Sequence, residues 1–286
     1  MTTKHTWERR IERAEELALS MPHVRDVLAF YAEVLKWQRD LSVLITAAYA
    51  NQGLTGYFEH DHSLLVNSFD SLLEIVRRQG SIALAAQVEK LGAARNDWKA
   101  SLAEYWNGEF DSEQSFFART CIQPYLERLA DTQRPPADSK LRESLTTEIE
   151  ELEITRPRRI CPFCGRKPQL TALSNETDIP DLSGGSVEGG RRFLMCGDCL
   201  TSWPFQRVAC VNCLEENPHK LSYYRAEAMP DIRVECCDTC RRYIKTIDLT
   251  RNNRCVPTVD ELAAIPLDIW AREQEYHKIQ PNLAGM

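Results

Sequence analysis

With 286 residues, 43% apolar and 27% charged, the chain has the balance of an ordinary folded protein and length enough for one large or two medium domains. That excludes a disordered chain and a miniature scaffold dependent on crosslinks. The formal charge of −7 is unevenly spread: Arg156 to Cys255 carries sixteen Lys and Arg against twelve Asp and Glu, or +4, so the remainder holds −11. The longest mostly apolar run, LSVLITAAYA, has ten residues, against the roughly 20 that cross a bilayer. The opening MTTKHTWERRIERAEE has charge but no apolar core, so neither a secretory signal nor membrane insertion is expected. The expected location is the cytoplasm.

Residues 1 to about 154 read as helical throughout. In PHVRDVLAFYAEVLKWQRDLSVL the apolar set Val24, Val27, Leu28, Tyr31, Val34, Leu35 and Leu41 recurs at steps of three and four, one face of a helix that Ser20 and Pro22 start. A second helix runs from about Ser63 to Gly80 on Leu64, Leu65, Phe69, Leu72, Leu73 and Val76. Ser81 caps a third that carries Ile82, Ala85, Val88, Leu91, Trp98, Leu102 and Tyr105. Asp111 with Gln114 resembles a cap for the helix of Phe116, Phe117, Cys121, Leu126 and Leu129, which Pro124 is expected to bend or interrupt. These aromatics read as core. After DTQRPPADS, a last helix over about 139–152 leads to Pro157, the boundary of the helical part.

Beyond that boundary the texture changes. RRFLMC, WPFQRVAC, KLSYYRA and RYIKTIDL read as strands beside cysteine pairs, and SNETDIPDLSGGSVEGG, without periodicity and with four glycines, reads as a loop. Near the end, Thr258 and Glu261 form a capping box for a helix through DELAAIPLDIWAREQEYHK, where Pro266 is placed to break it.

Ten of the eleven cysteines lie between Cys161 and Cys255, and in a reducing compartment such clustering points to metal rather than disulfides. Four Cys-x-x-Cys units, Cys161/Cys164, Cys196/Cys199, Cys210/Cys213 and Cys237/Cys240, supply eight thiolates, two complete tetrahedral sites. A two-residue spacer lets two sulfurs of one tight turn bind one ion while N–H groups of the turn face them. Sequence order pairs the first unit with the second and the third with the fourth. Gly165 permits a positive φ after its pair, whereas Leu200, Leu214 and Arg241 in the equivalent places are poorer matches. No Cys-x-x-Cys opens a helix in a βαβ unit, which sets aside a thioredoxin-like dithiol. Cys121 reads as core, Cys236 as an inert neighbour of a ligand, and His219 as surface. Four thiolates suit zinc or iron, and a closed site leaves no position for a hydrolytic water. Two such sites, each carrying −2 with a divalent ion, roughly cancel the +4 of this stretch. Emptying the first site through Cys161 and Cys164 is expected to unfold its own region and leave the helical half intact.

CPFCGRKP, RFLMCGDCLTSWPFQRVACVNC, KLSYY, VECCDTCRRYIKTID and DELAAIPLDIWAREQEYHKIQPN, in this order, resemble the FdhE family of formate dehydrogenase accessory proteins, and CIQPYLERLA is similar to a recurrent segment of that family. Cys236, where the family commonly has serine, and Pro266 depart from its pattern. The resemblance implies an α+β chain: a helical domain (1–156), two rubredoxin-like metal subdomains (157–207 and 208–256), and a C-terminal helix and tail (257–286). It implies iron on Cys161, Cys164, Cys196, Cys199, Cys210, Cys213, Cys237 and Cys240, with zinc as the alternative. It also implies an assembly factor without turnover whose partner is the formate dehydrogenase catalytic subunit. Two other classes compete. A nucleic-acid-binding zinc ribbon would use the +4 stretch, against an acidic remainder. A metal-dependent oxidoreductase would need a substrate site, and no Gly-rich phosphate loop, HExxH or nucleophile elbow is present.

Overall fold

Stripes of period 3.6 fill the first half, and the computed structural model, which describes residues 6–93, 98–109, 115–141, 158–175 and 190–286, folds them into helices. These are α1 (Trp7–Ser20), α2 (Arg25–Ala48), the single turn α3 (Phe58–Asp61), α4 (Ser63–Gln79), α5 (Ile82–Ala93), α6 (Trp98–Asn107) and α7 (Ser115–Asp131). Ser20 closes α1 rather than starting α2, its Oγ donating to the Glu16 carbonyl at 3.0 Å. A 3-10 turn at Pro22–Val24 then redirects the chain, and Val27 faces outward. The long helix expected after Ser81 is described as two, α5 and α6, and Ile82 is 91% exposed. Ser81 does cap α5, accepting from the Leu84 N–H at 3.3 Å.

Pro124 does not interrupt α7. Its missing N–H leaves the Thr120 carbonyl without a helical donor, and Gln38 of α2 supplies one through Nε2 at 2.9 Å. The Asp111–Gln114 cap, the helix expected over 139–152 beyond Leu141, and most of the glycine-rich stretch lie outside the described residues.

The second half forms one sheet of β1 (Pro168–Ser174), β2 (Arg191–Cys196), β3 (Ser202–Pro204), β4 (Leu221–Tyr224), β5 (Ile232–Cys237), β6 (Arg242–Asp248) and β7 (His277–Lys278). The order is β3-β2-β1-β6-β5-β4, with β7 on β6. Each cysteine region contributes an antiparallel set, and the two meet in a parallel seam where Leu170 pairs with Lys245 and Leu173 with Asp248. β1 and β5 escaped the sequence reading, and β7 lies where the C-terminal helix is expected to continue, that helix ending at Glu273. β1 is buried along its whole length, so it lacks the alternation that marks a half-exposed strand. WPFQRVAC contributes strand only as far as Pro204.

Two short helices follow, α8 (Pro257–Ala263) and α9 (Ile265–Glu273), with Pro266 in the first turn of the second. The Thr258–Glu261 capping box does not form. Val256 occupies the cap, and the Asp260 carboxylate accepts its N–H at 2.6 Å. Val256, Val259 and Leu262 pack with Ile11, Leu17, Leu28 and Leu35 of α1 and α2, while Leu267 and Ala271 cover Val234, Tyr243 and Ile247 of the sheet. The largest core joins Phe69, Trp98, Tyr105, Phe117 and Leu126 of the helices to Cys161, Cys164, Cys196 and Cys199. No described helix is long and apolar enough to cross a membrane.

Candidate metal centres

The four Cys-x-x-Cys turns are near copies of one another. In the first three, the leading cysteine N–H bonds the carbonyl five residues on: Cys161 to Arg166 (2.8 Å), Cys196 to Thr201 (3.0 Å) and Cys210 to Glu215 (2.8 Å). In the fourth, Cys237 faces Arg242 across the β5–β6 hairpin. The residue after each second cysteine is left-handed: Gly165 at φ 77°, Leu200 at 56°, Leu214 at 61° and Arg241 at 55°. The backbone objection to the last three therefore fails, since non-glycine residues occupy the same conformation at a cost of roughly 1–2 kcal/mol each. At Gly165 glycine is also required by space, because a Cβ would strike the Leu141 carbonyl.

These turns bring the eight sulfurs into two groups, Cys161, Cys164, Cys196 and Cys199 in one and Cys210, Cys213, Cys237 and Cys240 in the other, with all ligand atoms of a group within 4.8 Å. In the first cage Cys161 and Cys164 lie 3.5 Å from Cys199 and Cys196 respectively, and Cys164 lies 3.6 Å from Cys199. In the second, Cys210 to Cys240 is 3.7 Å and Cys213 to Cys237 is 3.6 Å. A tetrahedron with metal–sulfur bonds of about 2.3 Å has edges of about 3.8 Å, whereas a disulfide brings sulfurs to about 2.05 Å. All eleven cysteines are free. Each group has the geometry to hold one ion, whose coordination four sulfurs would complete. N–H groups of the turns face the sulfurs, Asp198 N to Cys196 at 3.5 Å and Asn212 N to Cys210 at 3.4 Å.

Burial pushes the Cys161 and Cys164 thiols well above their usual range. Burial opposes ionisation of Cys199 too, but hydrogen bonds with Cys161, Cys164, Cys196 and Thr201 bring it well below. An ion would therefore displace protons as it enters, tying affinity to pH. Outside the cages, Cys121 is buried and pushed up by desolvation, and desolvation moves Cys236 and Cys255 up to about 12 each. All three are neutral thiols in apolar clusters. His219 is exposed.

The sequence reading missed the supports of the first cage. Asp198, inside the Cys196–Cys199 turn, accepts from Arg119 Nε at 2.7 Å and Tyr105 Oη at 3.0 Å and pairs with Arg166 Nε at 2.9 Å, all four side chains buried. Gln123 Nε2 donates to the Gly197 carbonyl at 3.2 Å. Gly197 is glycine for a steric reason: a Cβ there would collide with Gln169 and Arg119. Those two side chains bond each other, and Gln169 Nε2 reaches Glu261 at 3.1 Å. Glu261 and Asp268 bind Lys245 at 2.9 and 2.5 Å and also pair with Lys278, and none of the four side chains is more than 2% exposed. Burial alone would raise Glu261, but the Lys245 and Lys278 ammonium groups hold it down at about 2. The available signal was a lone lysine in the apolar run RYIKTIDL and an aspartate between two ligand cysteines.

Residues 208–284 match the family model described as the FdhE C-terminal domain. Over 96% of its length the chain is 27% identical to a protein FdhE homolog of Aquifex aeolicus, covering 94% of it. Over 98% of its length it is 25% identical to protein FdhE of Escherichia coli K12, covering 87% of that protein. The crystal structure of the FdhE protein from Pseudomonas aeruginosa shares the fold, with a TM-score of 0.61 at 22% identity over 97% of this chain and 94% of the other.

Proposed function

We propose that this chain, a relative of the FdhE proteins along nearly its whole length, is an accessory factor for respiratory formate dehydrogenase. In this reading it works in the cytoplasm, binds the catalytic subunit during maturation, catalyses no turnover and holds one iron ion in each cage. The observation that carries the reading is the closure of both cages: each gathers four sulfurs and leaves no coordination position for water or substrate. Ions so held fix shape or pass single electrons. The donor set suits zinc as well, and iron is preferred because the resemblance implies it.

The basic stretch supports this reading over a nucleic-acid-binding ribbon, because much of its positive charge is paired internally. Arg166 pairs with Asp198, Arg192 and Arg233 with Glu235, and Arg225 with Asp248. Phosphate binding needs such charges free on one face. The test is capture of the tagged chain, purified without oxygen, from cells that make formate dehydrogenase. The catalytic subunit is expected to co-purify, and its consistent absence alongside metal-loaded bait would count against the proposal. A redox role for the iron is tested separately: zinc-loaded protein that supports maturation equally well would remove the redox part and leave the structural one.

A further inference from the structure

An incoming ligand meets the two cages differently. In the first, Cys161, Cys164, Cys196 and Cys199 are from 0 to 2% exposed and share a core with Phe117, Trp203 and Phe205. In the second, Cys210 and Cys237 are buried, whereas Cys213 and Cys240 are part-exposed. These two are the trailing cysteines of their turns, one from each, and their sulfurs lie within 4.8 Å of one another. The second tetrahedron therefore meets solvent along its Cys213–Cys240 edge.

The residue directly before each trailing cysteine sharpens the contrast. Asp198, before Cys199, is 2% exposed and bonded to Tyr105 and Arg119 of the helices, so the first cage opens only if helices and sheet part. Thr239, before Cys240, is exposed, and its Oγ1 donates to Glu215 Oε2 at 2.6 Å. Glu215 stands two residues after Cys213, and its Oε1 accepts the Asn217 N–H at 3.0 Å. The Thr239–Glu215 bond ties the turn of Cys213 to the turn of Cys240 beside the open edge, and those two turns must separate for an ion to leave.

A thiolate-held ion is exchanged by ligand substitution. An incoming thiolate takes the position that one cysteine gives up, and the released cysteine takes the proton that the incoming thiol lost. A part-exposed pair of sulfurs permits this by local opening, whereas four buried sulfurs require the surrounding core to open first.

We propose that the second cage is an exchange site, taking up and releasing a soft divalent ion while the chain stays folded, with Cys213 and Cys240 as the releasing pair and the Glu215–Thr239 hydrogen bond as their clasp. The first cage keeps its ion. The counterpart is a thiolate donor that touches the exposed edge. This rests on the reading that both cages hold metal.

The test starts from full-length protein prepared with zinc, without oxygen, and counted by native mass spectrometry. A chain with fewer than two ions at this stage overturns the metal reading and this proposal with it. Excess dimercaptopropanesulfonate is then added, and ion count, helical circular dichroism and alkylation of each cysteine are followed together. One ion is expected to leave at least about tenfold faster than the other, with Cys213 and Cys240 alkylated first and the circular dichroism unchanged. Cadmium added afterwards should refill that one position. Thr239→Val, which removes the donor of the clasp at an exposed side chain, should speed that release about threefold or more at an unchanged thermal midpoint. An unchanged release rate in this variant overturns the clasp. Departure of both ions at one rate, retention of both in excess chelator, or first alkylation at a cysteine of the first cage overturns the exchange site while the metal reading stands.

Discussion

The two cages use one turn design in different surroundings. The first is buried at all four cysteines, lies in the same core as the aromatic residues of α4, α6 and α7, and is braced by Asp198, Arg119, Arg166 and Tyr105. The second leaves Cys213 and Cys240 part-exposed at one end of the sheet, and of its polar neighbours Thr239 and Lys220 are exposed and Glu215 is half-buried. The difference teaches that four sulfurs at the right spacing serve different ends according to what packs on them. The first cage is a joint between helices and sheet. The second is the one that a partner, a ligand or an electron donor can approach.

The sharpest way to break this comparison is to empty the cages separately. Cys161→Ser with Cys164→Ser should abolish cooperative unfolding of the entire chain, seen as loss of a thermal transition in the helical circular dichroism signal, because apparent binding free energies of about 10–16 kcal/mol for such ions are folding free energy. The sequence alone predicts that the helical half survives this change, but its core includes these cysteines, and the unfolding measurement decides between the two outcomes. Cys210→Ser with Cys213→Ser should lose one ion and keep that transition. Equal damage from both pairs would erase the distinction.

Next in size is Asp198→Asn, which leaves Arg119 and Arg166 buried without their shared carboxylate and should cost about 3–5 kcal/mol by denaturant unfolding. Glu215→Gln beside the second cage should leave the midpoint where it was. Glu261 extends the comparison to pH. Its folded value lies below the usual carboxylate value of 4.5, near 2, so its stabilisation is complete above about 4.5 and is lost as pH falls toward 2. The stability gap between the wild type and Glu261→Gln, measured across that range, should narrow as acid is added. A gap that stays constant would show that the lysines do not hold the carboxylate down.

Reading the sequence recovered what local chemistry dictates. Helical stripes on Leu65, Phe69, Leu72 and Val76 and the four Cys-x-x-Cys units carry their own period and spacing. It failed where a partner distant in sequence decides. Gln38 rescues the Pro124 helix from 82 positions away at Thr120, Glu261 abandons a local cap for buried lysines, and β1 is shielded on both faces by elements unknown in advance. The support of Asp198 by Arg119 and Tyr105 spans 79 and 93 positions, and no pattern within a window reveals it.

A smaller effect tests the shared turn. Leu200→Gly should gain about 0.5–1 kcal/mol by relieving the left-handed strain net of glycine's backbone entropy. Leu200→Val should lose stability at that φ, and a reversed order would contradict the conformation of the turn.

The most direct measurement is metal analysis with thiol counting on full-length protein prepared without oxygen. The account predicts two ions per chain, a red ferric–thiolate absorption after air oxidation if the ion is iron, and eleven alkylatable thiols, none joined as cystine, once the chain is denatured with a chelator. Protein with no bound transition ion and with its paired cysteines joined as cystines would contradict it.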